Sequence, residues 1–268
     1  MVQNTEKYTV ITGASSGIGY ETAKAFAERG SSLILVARRK DRLETLRQEI
    51  LALHPMLDIV VKAADLAVPQ NVFQLYESIK SYPLRTWVNN AGFGNYESVG
   101  NQDLEKISRM LHLNVEALTV FSSMFVHDFK DKEGTQLINI SSCGGYTIVP
   151  NAVTYCAAKF YVSAFTEGLA WELKAAHAKM QAKVLAPAAT KTEFGKIAND
   201  VSEYDYDRLF GTYTARRKYL QYLIPHFYHH LRKQKCFFQQ EQDCGTVGHL
   251  CQLNGLFLAC FLHLYCLW

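Results

Sequence analysis

Tyr155 and Lys159 stand four positions apart. Side chains at i and i+4 of a helix face the same way, so a phenol and an ammonium would share one substrate-sized space. The pair gains meaning from three other stretches: the glycine-rich Thr12 to Gly19, the amide and small residues Asn89-Asn90-Ala91-Gly92, and Ser142, thirteen residues before Tyr155. In the first of these, Gly13-Ala14-Ser15-Ser16-Gly17-Ile18-Gly19 follows the β-branched run Tyr8 to Thr12 and precedes a helical pattern through Arg29. Glycines let a backbone approach a pyrophosphate closely, and a helix start offers free N–H donors and the positive end of its dipole to phosphate oxygens. Strand, glycine turn and helix in that order give the glycines a nucleotide-binding reading.

The elements that must position these residues follow in sequence. Ser32 to Ala37 is a continuous apolar run, as in a parallel strand covered on both faces, and it ends at Arg38-Arg39-Lys40. In dinucleotide folds an acidic residue at this strand end would accept from the ribose 2′-hydroxyl. Here Ala37 occupies the place and two arginines follow, whose charge and fork geometry suit a 2′-phosphate, so the sequence favours NADP(H) over NAD(H). The plain alternative is that Arg38, Arg39 and Lys40 are a solvated helix start. Lys40 to Leu53 carries apolar residues at helical spacing and stops at His54-Pro55. Asp58 to Ala63 reads as the third strand, and Asp65-Leu66 beyond it is placed either to hold an adenine amine or to cap the next helix. That helix is expected over Val68 to Lys80, and a fourth strand over Thr86 to Asn89.

Asn90, Ala91 and Gly92 then fall at the carboxyl end of a parallel strand, where open α/β sheets bind ligands; a turn is the alternative use of such residues. Leu104 to Phe129 reads as one long helix, with Asn114 beside its apolar face, where a buried amide must find partners. Gln136 to Ile140 is the fifth strand and delivers Ser141-Ser142-Cys143 at its end. The helix of Tyr155 and Lys159 is expected to run to about Lys179, and Lys183 to Ala186 gives a sixth strand closed by Pro187.

Composition bounds the rest. A chain of 268 residues, half of them apolar, can bury one sizeable α/β core. A net charge of +3, with no basic stripe and interleaved aromatics in the first two hundred residues, argues against nucleic acid as a partner. The chain passes from Met1-Val2-Gln3-Asn4 almost directly into an apolar strand, so a cytoplasmic location is expected. Seven cysteines without a CxxC pair fit neither a disulfide framework nor zinc; reduced thiols and no metal site are expected.

Taken together, the motifs resemble those of the short-chain dehydrogenase/reductase family, in its single-domain branch, over roughly residues 7 to 210. Thr12-Gly13, Gly17-Ile18-Gly19, Asn89-Asn90-Ala91-Gly92, Asn114, Ser142 and Tyr155 with Lys159 occur in the family's order and approximate spacing. The resemblance implies a doubly wound parallel sheet, Rossmann-like, in three α/β/α layers, and hydride transfer between NADP(H) and a small-molecule carbonyl or secondary alcohol. It implies cofactor contacts from Gly13, Ser15, Ser16, Gly17, Ile18, Gly19, Arg38, Arg39, Asp65, Leu66, Asn90, Ala91, Gly92, Tyr155, Lys159, Pro187 and Thr192.

By the same resemblance Tyr155 is the general acid and base, Ser142 orients the substrate oxygen, and Asn114 holds a water linking Lys159 to solvent. Acting near neutrality would require the phenol to move down by about three units, roughly 4 kcal/mol, and an ammonium about 4 Å away would supply much of that. Phe93, Tyr96, Val149 and Phe194 are apolar candidates for the substrate pocket. The family's pairing through its long helices implies a homo-oligomer, here through residues 104–129 and 152–178. One departure is Pro187-Ala188, where the family commonly has Pro-Gly.

The other departure is the C-terminal tail. Residues 1–214 form the expected oxidoreductase domain with a net charge of −1; residues 215–268 carry +4, with five of the nine histidines and five of the seven cysteines. Three readings stand: a divergent substrate lobe, with Tyr219 to Leu231 helical and Leu256 to Leu264 as a seventh strand or a buried helix; a membrane or partner attachment; or an end that is not the family's own. The apolar run after Asn254 is about 13 residues, shorter than the ~20 of a membrane span. A tail that disrupts the substrate pocket would leave a non-catalytic NADP-binding or interaction protein. A methyltransferase using another nucleotide on a similar sheet is a third functional class.

Overall fold

Short runs of aliphatic and β-branched residues bounded by polar turns become six strands: β1 (Tyr8–Thr12), β2 (Ser32–Ala37), β3 (Ile59–Ala63), β4 (Leu84–Asn89), β5 (Gln136–Ile140) and β6 (Gln181–Leu185). In this computed structural model the residues described are 7–207. The strands form one parallel sheet in the order β3-β2-β1-β4-β5-β6. The winding reverses between β1 and β4, so the loops leaving those two strands part and open a crevice at their carboxyl ends. The expected doubly wound, Rossmann-like sheet is thus present.

Alternation along each strand assigns its side chains to two cores. On one face Val10, Ile34, Val36, Trp87 and Leu137 pack with Tyr76, Phe121, Phe125 and Leu173. These last come from α3 (Pro69–Glu77), α5 (Leu118–Phe129) and α6 (Val153–Ala175). The Trp87 indole anchors this face, with ring centroids 4.9 Å from Phe121 and 5.6 Å from Tyr76. On the other face Ile11, Leu33, Leu35, Val88 and Ile138 meet Ala23 and Phe26 of α1 (Gly17–Ala27) and Leu43, Leu46 and Ile50 of α2 (Lys40–Leu53). Each fully buried aliphatic side chain contributes about 1.5–3 kcal/mol. The three-layer arrangement follows from these two faces.

Several boundaries differ from the sequence expectation, each for a local reason. The third helix starts at Pro69, whose missing N–H suits a first turn, and gives way to turns after Glu77. α6 stops at Ala175 because His177 takes a left-handed φ of 52° and the Ala178 N–H turns back to the Leu173 carbonyl at 2.9 Å. The rod expected over 104–129 consists of α4 (Leu104–Leu111), a π-helical stretch His112–Ala117 and α5. Its start is set by Asp103, whose carboxylate accepts from the Glu105 and Lys106 N–H groups.

A polar chain crosses the apolar layer beside β4 and β5. The Trp87 indole N–H donates to Asn89 Oδ1 at 2.7 Å, Asn89 Nδ2 to Asn139 Oδ1 at 2.9 Å, and Asn139 Nδ2 to Thr166 Oγ1 at 2.9 Å. Asn89 therefore ties the sheet to α6, and the three residues after it are left to face the crevice. Among the described residues no helix is long and apolar enough to cross a membrane. The tail at 215–268, with its basic residues, cysteines and expected seventh strand, lies outside the described residues, as does the domain boundary at 214.

Candidate active site

The glycine turn closes against the end of β4. Thr12 Oγ1 accepts from the Asn90 and Ala91 N–H groups, both at 3.0 Å, and Asn90 Nδ2 donates to the Thr12 carbonyl at 2.9 Å. Gly13 has φ +70°, and a Cβ there would lie 2.8 Å from Asn90 Nδ2 and 2.9 Å from Ala91 Cα. Gly19 is equally confined, since a Cβ would lie 2.4 Å from the Gly13 oxygen. The backbone is therefore drawn in, and the first turn of α1 starts at Ser16 with no side chain capping its N–H groups. A concave turn with uncapped helix donors fits a dinucleotide pyrophosphate.

From this turn one cleft of about 620 Å³ runs along the carboxyl ends of the strands. It is lined by Gly13, Ser15, Ser16, Gly17, Ile18, Arg38, Arg39, Asp65, Leu66, Asn90, Ala91, Gly92, Ser142, Tyr155, Lys159, Pro187 and Thr192. Of the residues to which the resemblance gives a catalytic or cofactor role, only Gly19 and Asn114 do not line it. Gly19 supports the turn from beneath. Asn114, 1% exposed in the π-helical stretch, spends its amide on Phe93, donating to the carbonyl at 2.8 Å and accepting from the N–H at 3.2 Å. Gly92 lies between: a Cβ on it would be 2.9 Å from Asn114 Oδ1 and 3.7 Å from Lys159 Nζ. The Asn114 amide thus fixes the loop after β4 and does not itself bond Lys159.

At the strand ends nearest α6 the two serines separate. Ser141 is buried and bonds the Lys159 carbonyl at 2.9 Å and Ser163 Oγ at 2.8 Å, a packing role. Ser142 faces the cleft and accepts from the Gly144 N–H at 3.1 Å. Lys159 Nζ donates to the Ile140 carbonyl at 2.8 Å and lies 5.9 Å from the centre of the Tyr155 ring. Burial lowers its pKa to about 8. Burial raises that of the Tyr155 phenol, with the Ser142 hydroxyl working against it and the neighbouring Cys143 and Cys156 adding to it.

Phe194, Tyr96 and Tyr155 form an aromatic wall, with centroids 5.3 Å apart for Tyr155 and Phe194 and 6.2 Å for Tyr96 and Tyr155. Val149 also lines the cleft, as does Phe93. All four apolar candidates therefore reach it.

Three charged residues were not anticipated. Asp65 accepts from the Ala67 N–H at 3.1 Å in the loop before α3, whose N-cap is Val68, so it does not cap that helix; its other oxygen takes Arg109 Nη2 at 2.7 Å. Glu193 accepts from Arg39 at 2.9 Å and from Arg42 at 2.6 Å. Burial alone would raise the Glu193 pKa, but hydrogen bonds from Arg42 and Arg39 and their charges bring it to about 2. These pairings join residues 44 and more than 150 positions apart in sequence, and nothing local in the chain announces them.

A parallel sheet wound in two directions, with a glycine turn at its switch point, defines a nucleotide-binding α/β protein. The short chain dehydrogenase family model matches residues 7–202, and the chain belongs to that family of oxidoreductases. It is 30% identical over 208 residues to an uncharacterized oxidoreductase of Staphylococcus saprophyticus, covering 76% of this chain and 83% of the relative. Among solved structures it resembles a short-chain dehydrogenase from Sphingobium yanoikuyae in complex with NADPH (TM-score 0.73, 28% identity, 80% of this chain and 81% of that one). It also resembles a 3-ketoacyl-(acyl-carrier-protein) reductase from Brucella melitensis complexed with NADH (TM-score 0.69, 26% identity, 81% and 88%).

Proposed function

We propose that the protein is an NADP-dependent oxidoreductase that interconverts a small carbonyl compound and the corresponding secondary alcohol, with Tyr155 as general acid and base. The observation that carries this reading is one continuous cleft with the glycine turn and Arg38–Arg39 toward one end and Ser142, Tyr155 and Lys159 toward the other. A pure binding module has no use for the second set. The cofactor, held by the turn of Gly13 to Ile18 and by Arg39, supplies the hydride or takes it up.

The chain's own part is proton transfer and orientation. Tyr155 gives its phenolic proton to the carbonyl oxygen as carbon is reduced, and burial favours the protonated phenol this direction needs. Ser142 holds the same oxygen within reach. In the oxidising direction the phenol must first release its proton, and the positive charge of Lys159 favours the phenolate. Phe194, Tyr96 and Val149 surround the reacting carbon with apolar surface and keep water from it. NADP is favoured over NAD because Ala37, which ends β2, puts no carboxylate beside the ribose while two arginines follow.

The proposal extends to assembly and location. Phe160, Tyr161 and Trp171 are exposed on α6, and Leu104 and Leu111 on α4, an apolar surface suited to a second copy of the chain. Cys143 and Cys156 are free thiols, suited to the reducing cytoplasm.

Titration of the full-length chain with NADPH and NADH, followed by turnover on a panel of ketones and aldehydes, tests the reading. Tighter NADPH binding and reduction of at least one carbonyl are expected. Equal affinities would remove the cofactor preference, and NADPH binding without turnover of any carbonyl would leave a non-catalytic NADP-binding protein.

A further inference from the structure

Glu193 stands where an anion is wanted. Its two carboxylate oxygens take Arg39 Nη2 at 2.9 Å and Arg42 Nη1 at 2.6 Å, and the same Nη2 lies 3.2 Å from Ser15 Oγ and 3.0 Å from Ser16 Oγ. Two guanidiniums on one anionic group, the nearer one also donating to two serine hydroxyls of the glycine turn, make a cationic cradle of the kind that holds a phosphate monoester. Here the anion belongs to the protein itself. Arg39, Ser15, Ser16 and Glu193 all line the cleft beside Ala37, the end of β2.

We infer that Glu193 is an internal occupant of the 2′-phosphate subsite, a specificity-determining carboxylate that NADP(H) must displace from Arg39 and NAD(H) need not. The inference rests on the NADP reading above and deepens it. A carboxylate and a phosphate cannot both use the same guanidinium face, so every kilocalorie that holds Glu193 on the arginines is withheld from the 2′-phosphate and from no other part of the cofactor. Glu193 stays ionised at neutral pH, because the two arginines hold its pKa far below that range, so the exchange is one anion for another. Its chain neighbours give the exchange a reach. Thr192 packs against Gly17, where a Cβ would be 3.2 Å from Thr192 Cγ2, and the Phe194 ring covers Tyr155.

The test is equilibrium binding to the full-length protein and its E193Q variant, with NADPH, NADH and 2′,5′-ADP as probes. Glu193 is at the surface, with a side chain 36% exposed, so glutamine leaves the fold unchanged. The loss of two partly exposed ion pairs should tighten NADPH and 2′,5′-ADP about three- to tenfold while moving NADH by less than about twofold. An unchanged or weakened NADPH affinity in E193Q, with the wild-type preference intact, would overturn the inference and make Glu193 an aligner of Arg39. Equal tightening of NADPH and NADH would overturn it as well. R39M separates this failure from that of the NADP reading: loss of the NADPH preference in R39M supports the reading, and its persistence removes both.

Discussion

Replacing Gly13 by alanine sets the glycine turn against a built-in control. Gly13 and Gly30 have nearly the same left-handed backbone, φ +70° and +75°. An alanine at either position pays a conformational cost of about 1–2 kcal/mol. They differ in what a Cβ would meet: at Gly30 nothing lies within 4 Å, whereas at Gly13 the Cβ falls 2.8 Å from Asn90 Nδ2 and 2.9 Å from Ala91 Cα. Relief at Gly13 requires the end of β4 to move away from β1, which gives up the Asn90 and Ala91 bonds to Thr12 Oγ1 and the Asn90 side-chain bond to the Thr12 carbonyl. At about 1 kcal/mol per hydrogen bond this adds roughly 3 kcal/mol. Gly30→Ala is therefore expected to lower Tm by about 2–8 °C and Gly13→Ala by roughly 8–20 °C, at about 2–4 °C per kcal/mol for a chain of this size. Thermal denaturation, paired with NADPH titration at a temperature where both variants are folded, measures the difference. NADPH affinity is expected to be unchanged in Gly30→Ala and to fall more than about tenfold in Gly13→Ala, since the cradle of α1 N–H groups shifts. Equal melting temperatures, or a Gly13→Ala protein that binds NADPH normally, would refute the proposed turn.

Thr166→Val leaves Asn139 Nδ2 without its buried partner and is expected to cost about 1–3 kcal/mol in chemical denaturation, whereas the exposed Val153→Thr should cost less than ~0.5 kcal/mol. Lys159 has a folded-state pKa of about 8 against an ordinary 10.5, so between those values the unfolded chain binds the extra proton and stability rises with pH. Wild type is expected to gain up to roughly 3 kcal/mol over Lys159→Met across that window, and parallel stability curves would argue against a buried ammonium. Trp171→Glu places a charge on the exposed apolar face of α6 and is expected to shift the protein to monomer in sedimentation, with NADPH binding retained.

The fold was legible because its signals are local. The continuous aliphatic run Ser32–Ala37 and the glycines of the first turn each carry their own period or backbone demand, and the parallel order follows from strands alternating with helices. Ser142, Tyr155 and Lys159 were legible through spacing, and burial then decided between Ser141 and Ser142. What the sequence hid depends on contacts across the fold. The π-helical turn at His112–Ala117 leaves an ordinary helical pattern in the sequence, and the Phe93 backbone that Asn114 bonds from it lies 21 positions away. Nothing local in the sequence singles out Glu193, on which Arg39 and Arg42 converge from more than 150 positions away. Spacing reports that an ammonium is near Tyr155, while the burial that raises its phenol depends on everything packed around the ring.

Proton transfer by Tyr155 is tested most directly by Tyr155→Phe in single-turnover reduction of a carbonyl substrate, with NADPH affinity measured on the same preparation. The ring and its contacts with Phe194 and Tyr96 remain and only the hydroxyl is lost. A fall of about 10²–10⁴ in the reduction rate is expected, the usual contribution of a positioned general acid, with NADPH affinity within about twofold of wild type. A Tyr155→Phe protein that reduces its substrate at the wild-type rate would contradict the assignment.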